Sequence, residues 1–240
     1  MKAAVWKGIE RIDIEDIAVP EPRDDEILVK VGACGICGTD MHIYYGEMAY
    51  AKPPVVLGHE FAGIVEGVGK EVKDIRSGDM VAVDPNASCN HCYYCRNDMP
   101  NQCIHLDPYG VVKNGGFEEY CVISEVGAVG LRKRVTAEQG AFIEPLSCVC
   151  HAFDKIKMKP TDTVSIIGCG TIGLLMLQMV RAHGIERIIC TDIREKNLKI
   201  AKSLGASHVF NPKEVNLKKE VGSIAKDGVS LCLDASGNVN

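Results

Sequence analysis

Val164-Ser-Ile-Ile-Gly168-Cys-Gly170-Thr171-Ile172-Gly173 sets an apolar strand directly before three glycines spaced G-x-G-x-x-G, with a helical pattern opening near Thr171. In such a turn the first glycine allows the tight bend and the second lets the backbone approach a pyrophosphate. The third permits close helix packing, with phosphate charge facing the helix N-terminus. The next strand ends at Asp192, near the roughly 20-residue offset at which an acid accepts hydrogen bonds from an adenosine ribose. An acid there repels a 2′-phosphate, which favours NAD over NADP, whereas Arg194 could pair with that phosphate. Asp192 would also suit a helix N-cap. Strand, glycines, helix, strand and acid nevertheless fall in register, so Gly168, Gly170, Thr171, Ile172, Gly173, Asp192 and Arg194 form the expected cofactor site.

Working outward, the same alternation continues. A helical stretch through 148–155 leads to strand 164–167, helix 172–183, strand 187–191, helix 195–204, strand 208–210, helix 214–226 and strand 229–234. This α/β pattern implies a mostly parallel sheet with helices on both faces. Asp234-Ala-Ser-Gly-Asn-Val-Asn240 reads as a fourth strand entering a helix, so the sheet is expected to be incomplete and the chain truncated relative to a six-stranded dinucleotide fold. Before this region the chain reads as short β segments punctuated by Gly and Pro, clearest at 27–31, 62–68, 80–83 and 117–123, which predicts a β-rich barrel or partly open roll. The boundary is expected near Lys157-Met-Lys-Pro160, giving a catalytic domain over 1–156 and a partial dinucleotide-binding domain over 157–240.

The 240 residues are 46% hydrophobic and 25% charged, enough for a sizeable core. A net charge of −5, with no basic cluster beyond Arg132-Lys-Arg134, argues against nucleic acid or an anionic membrane as partner. The longest apolar stretch, 171–180, is too short to span a bilayer. The first residues lack the apolar core of a signal peptide, so a cytoplasmic location is expected. Twelve cysteines then argue for metal rather than a disulfide scaffold.

Two metal candidates follow. Cys89-Asn-His-Cys92-Tyr-Tyr-Cys95 with Cys103 has the spacing C-x2-C-x2-C-x7-C, which brings four thiolates into a closed tetrahedral zinc shell with no position left for substrate. The second set is dispersed: Cys37 in Cys34-Gly-Ile-Cys37-Gly-Thr-Asp40, His59-Glu60, and Glu144 before Pro145. A catalytic zinc needs about three protein ligands and an open position. No local spacing joins these residues. Taken singly, Cys37 reads equally as a small core residue, His59 as a turn histidine and Glu144 as a helix-start carboxylate, and the spacing leaves the choice open.

The wording around them carries a resemblance. Gly58-His-Glu-Phe-Ala-Gly63-Ile-Val-Glu-Gly-Val-Gly69-Lys-Glu-Val72 resembles the zinc signature of the medium-chain alcohol dehydrogenase family. Cys-Gly-Thr-Asp at 37–40, the four-cysteine lobe, Gly116-Phe-Glu-Glu-Tyr120 and the cofactor glycines follow in that family's order. The resemblance implies a GroES-like catalytic domain joined to a Rossmann domain, with two zinc ions per chain and NAD as cofactor. By matching motif, Cys37 and His59 would be catalytic-zinc ligands, Glu60 a neighbouring carboxylate able to enter the shell, and Asp40 the group that orients a ligand histidine. Thr39 would hydrogen-bond the substrate oxygen and His42 would pass its proton to solvent, although Thr39 with Asp40 also reads as a helix cap and His42 as a surface histidine. Ile143-Glu-Pro-Leu-Ser-Cys148 is similar to the sorbitol and polyol dehydrogenase branch, in which Glu144 would bind zinc directly or through its water.

The implied reaction moves a hydride from a secondary alcohol of a polyol, sugar alcohol or vicinal diol to NAD, leaving a ketone. His42-Ile-Tyr44 is similar to L-threonine 3-dehydrogenase, which is the rival substrate reading. A full-length form is expected to be a homodimer or homotetramer. A third reading, motivated by the ending at Asn240, is a catalytically inactive zinc- and nucleotide-binding fragment.

Overall fold

The computed structural model describes residues 1–86 and 88–237, and the expected helix entry at the C-terminus reaches into residues outside that set. The chain divides into two compact units, Met1–Glu144 and Pro145–Asn240. The sequence reading put the division a dozen residues later. Helix Ile143–Phe153 straddles it, with Val149 and Phe153 in the core of the second unit.

The first unit contains β1 (Lys2–Gly8), β2 (Arg11–Asp16), β3 (Glu26–Gly35), α1 (Gly38–Tyr44), β4 (Val55–Val56), β5 (Glu60–Val68), β6 (Met80–Val83), α2 (Tyr93–Arg96), β7 (Tyr120–Ser124), β8 (Ala128–Gly130) and α3 (Ala137–Ala141). It holds two antiparallel sheets, ordered β2-β1-β4 and β7-β3-β5-β6-β8. Alternating Ile27 and Val29 on β3, Phe61 and Val65 on β5, Val81 and Val83 on β6 and Ile123 on β7 are buried together as one core, the period-2 pattern of strands with one face inward. Helix α3 packs on β3, β5 and β6.

Strand β7 is shorter than the 117–123 expected. Phe117 instead accepts the backbone N–H of Ala4 and donates its own to Leu57, and Glu118 bridges to Ala3, so this stretch leaves the β3 ladder to meet β1. Strands β1 and β2 were not among the clear segments of the sequence; β2 is a largely exposed edge.

The register of β3 against β5 is what positions chemistry. Gly35, the last residue of β3, pairs with Glu60, the first residue of β5. Cys37, two residues beyond the strand, is thereby brought beside His59 and Glu60 at the start of its neighbour.

The second unit continues from α4 (Ile143–Phe153) with β9 (Thr163–Ile167), α5 (Thr171–Ala182), β10 (Arg187–Thr191), α6 (Glu195–Ser203), β11 (His208–Phe210), α7 (Leu217–Ile224) and β12 (Leu231–Asp234). Its four strands are parallel in the order β11-β10-β9-β12. Consecutive side chains of a strand point to opposite faces, and Ile188 and Ile189 are both fully buried. Both faces of β10 are therefore covered, which explains its uninterrupted apolar run. Each such burial contributes roughly 1.5–3 kcal/mol. Helix α7 starts later than the 214 expected because Asn216 caps it, its side chain accepting the N–H of Lys219, while Pro212 to Glu214 is taken up in a turn closed on Asn211.

Among the described residues no helix is long and apolar enough to cross a membrane.

Candidate functional site

Cys89, Cys92, Cys95 and Cys103 converge so that their ligand atoms all lie within 4.8 Å of one another. The Sγ–Sγ separations of 3.9 Å for Cys89–Cys95 and 3.5 Å for Cys92–Cys95 are close to the edge of a tetrahedron with metal–sulfur bonds of about 2.3 Å, which is about 3.8 Å. None of the twelve cysteines is in a disulfide. Backbone N–H groups point at the sulfurs: Cys89 donates to Cys103, Cys92 to Cys89 and His105 to Cys103. Such donors favour thiolate, and backbone N–H groups, first that of Cys95, bring the Cys92 thiol down to about 6. The donor set and spacing fit a closed zinc shell.

Cys37, His59 and Glu60 form a second cluster, again with ligand atoms within 4.8 Å of one another. Asp40, on the first turn of α1, holds it together. Its Oδ2 accepts the N–H of Cys37 at 2.8 Å, its Oδ1 accepts the N–H of Gly58 at 3.2 Å, and the same Oδ1 lies 3.6 Å from Nδ1 of His59. The last distance is an ion-pair separation rather than a hydrogen bond, and Nδ1 has no hydrogen-bond partner among the described residues. Asp40, His59 and Glu60 are all buried.

Burial opposes charge on the imidazole, but Asp40 and then Cys37 outweigh it and push the His59 pKa up to about 10. Burial also raises the Glu60 carboxyl. Among the described residues no lysine or arginine pairs with Asp40 or Glu60. A half-buried thiol beside a buried imidazole and carboxylate, with no lysine or arginine paired to them, is a donor set suited to a divalent metal. A carboxylate 3.6 Å from Nδ1 favours the tautomer that leaves Nε2 for the metal.

Gly35 makes room for Glu60: a Cβ there would stand 2.2 Å from Oε2. Glu144, at the start of α4, lies outside the three-residue cluster but feels it. Burial raises its carboxyl, with His59 lowering it and Glu60 raising it further. Thr39 is half-buried on α1, and His42, one turn on, is exposed and paired through Nδ1 with Glu47.

In the second unit a cavity of about 280 Å³ is lined by Gly168, Gly170, Asp192, Arg194, Asn197 and Ser236 among others. Gly168 has φ +87°, a conformation that strains any side-chain-bearing residue. A Cβ on Gly173 would meet the Gly168 carbonyl oxygen at 1.9 Å, whereas a Cβ on Gly170 would project into open space, the clearance a backbone-bound phosphate requires. Thr171 and Ile172 open α5 without lining the cavity. Asp192 is not the N-cap of α6, a position taken by Arg194. Burial works against its charge, but Asn197 and the N–H groups of Arg194 and Cys169 hold its carboxyl below the usual range. The sequence reading missed Asn197. The available signal was its place five residues after Asp192, on the first turn of the following helix.

Comparison with known proteins shows the family. Residues 23–133 match the alcohol dehydrogenase GroES-like domain and residues 171–240 match the zinc-binding dehydrogenase domain. The chain is 35% identical over 244 residues to the sorbitol dehydrogenase of Bacillus subtilis, an alignment covering 99% of this chain and 69% of that protein. A zinc-binding dehydrogenase of Sinorhizobium meliloti bound to NADP superposes with a TM-score of 0.91 at 36% identity, covering 99% of this chain and 70% of that one. An alcohol dehydrogenase of Escherichia coli complexed with NADH gives 0.89 at 33% identity, with the same coverages of 99% and 70%. The chain belongs to the zinc-containing alcohol dehydrogenase family, with a GroES-like domain followed by a Rossmann-like domain, and spans about 70% of the length of these relatives.

Proposed function

We propose that the protein is a zinc-dependent oxidoreductase that oxidises a secondary alcohol of a polyol, sugar alcohol or vicinal diol to a ketone, with NAD as hydride acceptor. The observation that carries this reading is the convergence of half-buried Cys37 with buried His59 and Glu60, in addition to the closed four-cysteine lobe. Two zinc sites of different character follow, one structural and one with room for substrate. Glu144 beside the second site and the similarity to a sorbitol dehydrogenase support the polyol class. Relatives occur with NADP and with NADH; the ionised Asp192 in the cofactor cavity favours NAD here.

Cys37 and His59 would hold the catalytic zinc, with Glu60 and Glu144 as carboxylates able to join the shell. When bound, zinc supplies a Lewis acid that lowers the pKa of the alcohol, and the nicotinamide supplies the hydride acceptor. The chain's own residues do the rest. Asp40 fixes both the Cys37 backbone and the imidazole of His59. Thr39, half-buried on α1, would receive the hydroxyl proton, and His42, exposed and paired with Glu47, would deliver it to water.

The test is NADH production by the zinc-loaded protein on sorbitol, xylitol, arabinitol, butanediol and threonine. Turnover of one or more of the polyols or the diol is expected. Turnover of threonine alone would replace the polyol reading with threonine 3-dehydrogenase. No turnover together with tight zinc and NADH binding would leave a binding fragment.

A further inference from the structure

A second cavity of about 280 Å³ lies in the first unit, and none of its lining residues belongs to either metal cluster or to the cofactor cavity. Its buried lining is Glu118, just before β7, Cys121 on β7, and Tyr109 from the loop that precedes them. Arg23, Lys113 and Asn114 line it from exposed positions. The cavity therefore has a carboxyl on its floor and two cations at its mouth.

Glu118 is 8% exposed, and its Oε2 has no hydrogen-bond partner among the described residues. The other polar groups of the lining are engaged. Tyr109 Oη accepts the N–H of Ser124 at 2.9 Å, the Cys121 thiol donates to the backbone carbonyl of Asn114 at 3.5 Å, and Glu26, also on the wall, accepts the N–H of Arg23 at 2.9 Å. Asn114 Oδ1 accepts the N–H of Val56 at 3.1 Å, so its amide has only the NH₂ donors left to offer.

The opposite charges of the cavity are not paired with one another. Among the described residues neither Arg23 nor Lys113 forms an ion pair, and Lys113 Nζ instead rests 5.5 Å from the centre of the Tyr109 ring. A buried carboxylate without a partner is costly. Burial pushes the Glu118 carboxyl up to about 7, so at pH ~8 it is mostly ionised. A simple amine would answer Glu118 but meet the two cations, and a simple anion would answer the cations but meet Glu118. A short molecule with an ammonium at one end and a carboxylate at the other satisfies both.

We propose that this cavity binds a small zwitterion of the amino-acid class, its ammonium donating to Glu118 Oε2 and its carboxylate accepting from Lys113, Arg23 and the Asn114 amide. The site is independent of the dehydrogenase reading and has no part in the chemical step.

Isothermal titration calorimetry at pH ~8 tests the assignment with glycine, β-alanine and γ-aminobutyrate, which differ in the separation of their charges, and with methylamine and acetate, which carry one charge each. At least one of the amino acids should bind saturably at millimolar concentration, about tenfold or more tighter than methylamine or acetate. Glu118→Gln, which keeps the size and removes the charge, should weaken that amino acid about tenfold or more, and Lys113→Met about three- to tenfold. Melting temperatures no more than a few degrees below wild type show the variants folded, and because the two act at opposite ends of the ligand, either one alone reads the site. Absence of binding by all of the amino acids would overturn the proposal. So would methylamine or acetate binding as tightly as the best amino acid, or a folded variant of either kind that binds it as wild type does.

Discussion

Asp40 and His59 stand 3.6 Å apart, Oδ1 to Nδ1, with both side chains buried and with the second oxygen of Asp40 closing on the N–H of Cys37. One carboxylate thus orients two of the expected zinc ligands, although Asp40 and His59 are 19 positions apart in the chain. Asp40→Asn keeps the size and an acceptor but removes the charge that steadies the imidazole. Zinc affinity at the Cys37 site is expected to fall roughly 10- to 100-fold, with the four-cysteine site unchanged. Competition against a graded series of chelators reads this directly, and equal loss at both sites would mean that Asp40 acts on the fold alone.

Cys95 contacts Cys89 and Cys92 through sulfur, at the centre of the lobe. Cys95→Ser should open the closed shell and lower the melting temperature by roughly 5–10 °C, while the Cys37 site still takes up metal. Chelation of wild-type protein should reproduce the same loss of stability. A Cys95→Ser protein that melts as wild type does would show that the lobe is stable without metal.

Asp192 ties the end of β10 to the glycine turn through the N–H of Cys169 as well as facing the cavity. Asp192→Ala is therefore expected to weaken NADH by about tenfold or more, through the lost ribose contact and the loosened turn together. Calorimetric titration checks this. Unchanged affinity would remove Asp192 from the cofactor site.

The pattern of the second unit was legible in the sequence because its signals are local. A strand, three glycines, a helix and an acid within 30 residues predict one another, and β10 and β11 fall where the apolar runs put them. The four-cysteine lobe was legible for the same reason. The Cys37 site was not, since it depends on the pairing of Gly35 with Glu60 across an antiparallel ladder, a register that no spacing encodes. Its residues could be named only through the resemblance of Gly58 to Val72 to a known zinc signature. Asn197 was hidden for a related reason, as its partner Asp192 lies across a strand-to-helix turn whose geometry sequence alone does not fix.

Glu118 is buried, with Oε2 lacking a hydrogen-bond partner among the described residues, and burial pushes its pKa up to about 7 from 4.5, against an opposing effect of Cys121. Its folded-state pKa lies above the unfolded value, so between pH 4.5 and about 7 the folded state binds the extra proton. The contribution of Glu118 to stability is therefore most favourable below that window, falls as pH rises through it and levels off above. Glu118→Gln should flatten this slope and stabilise the protein at pH ~8 by on the order of 1–3 kcal/mol. Urea unfolding at pH ~5 and ~8 measures it, and an unaltered slope would place the titration elsewhere.

The central claim, two zinc sites of different kinds on one chain, is tested most directly by counting zinc. Metal analysis of the wild-type protein should give two zinc ions per chain, and Cys37→Ser should give one while retaining the wild-type fold and the four-cysteine metal. A wild-type protein holding a single zinc, or a Cys37→Ser protein that still holds two, would contradict the account.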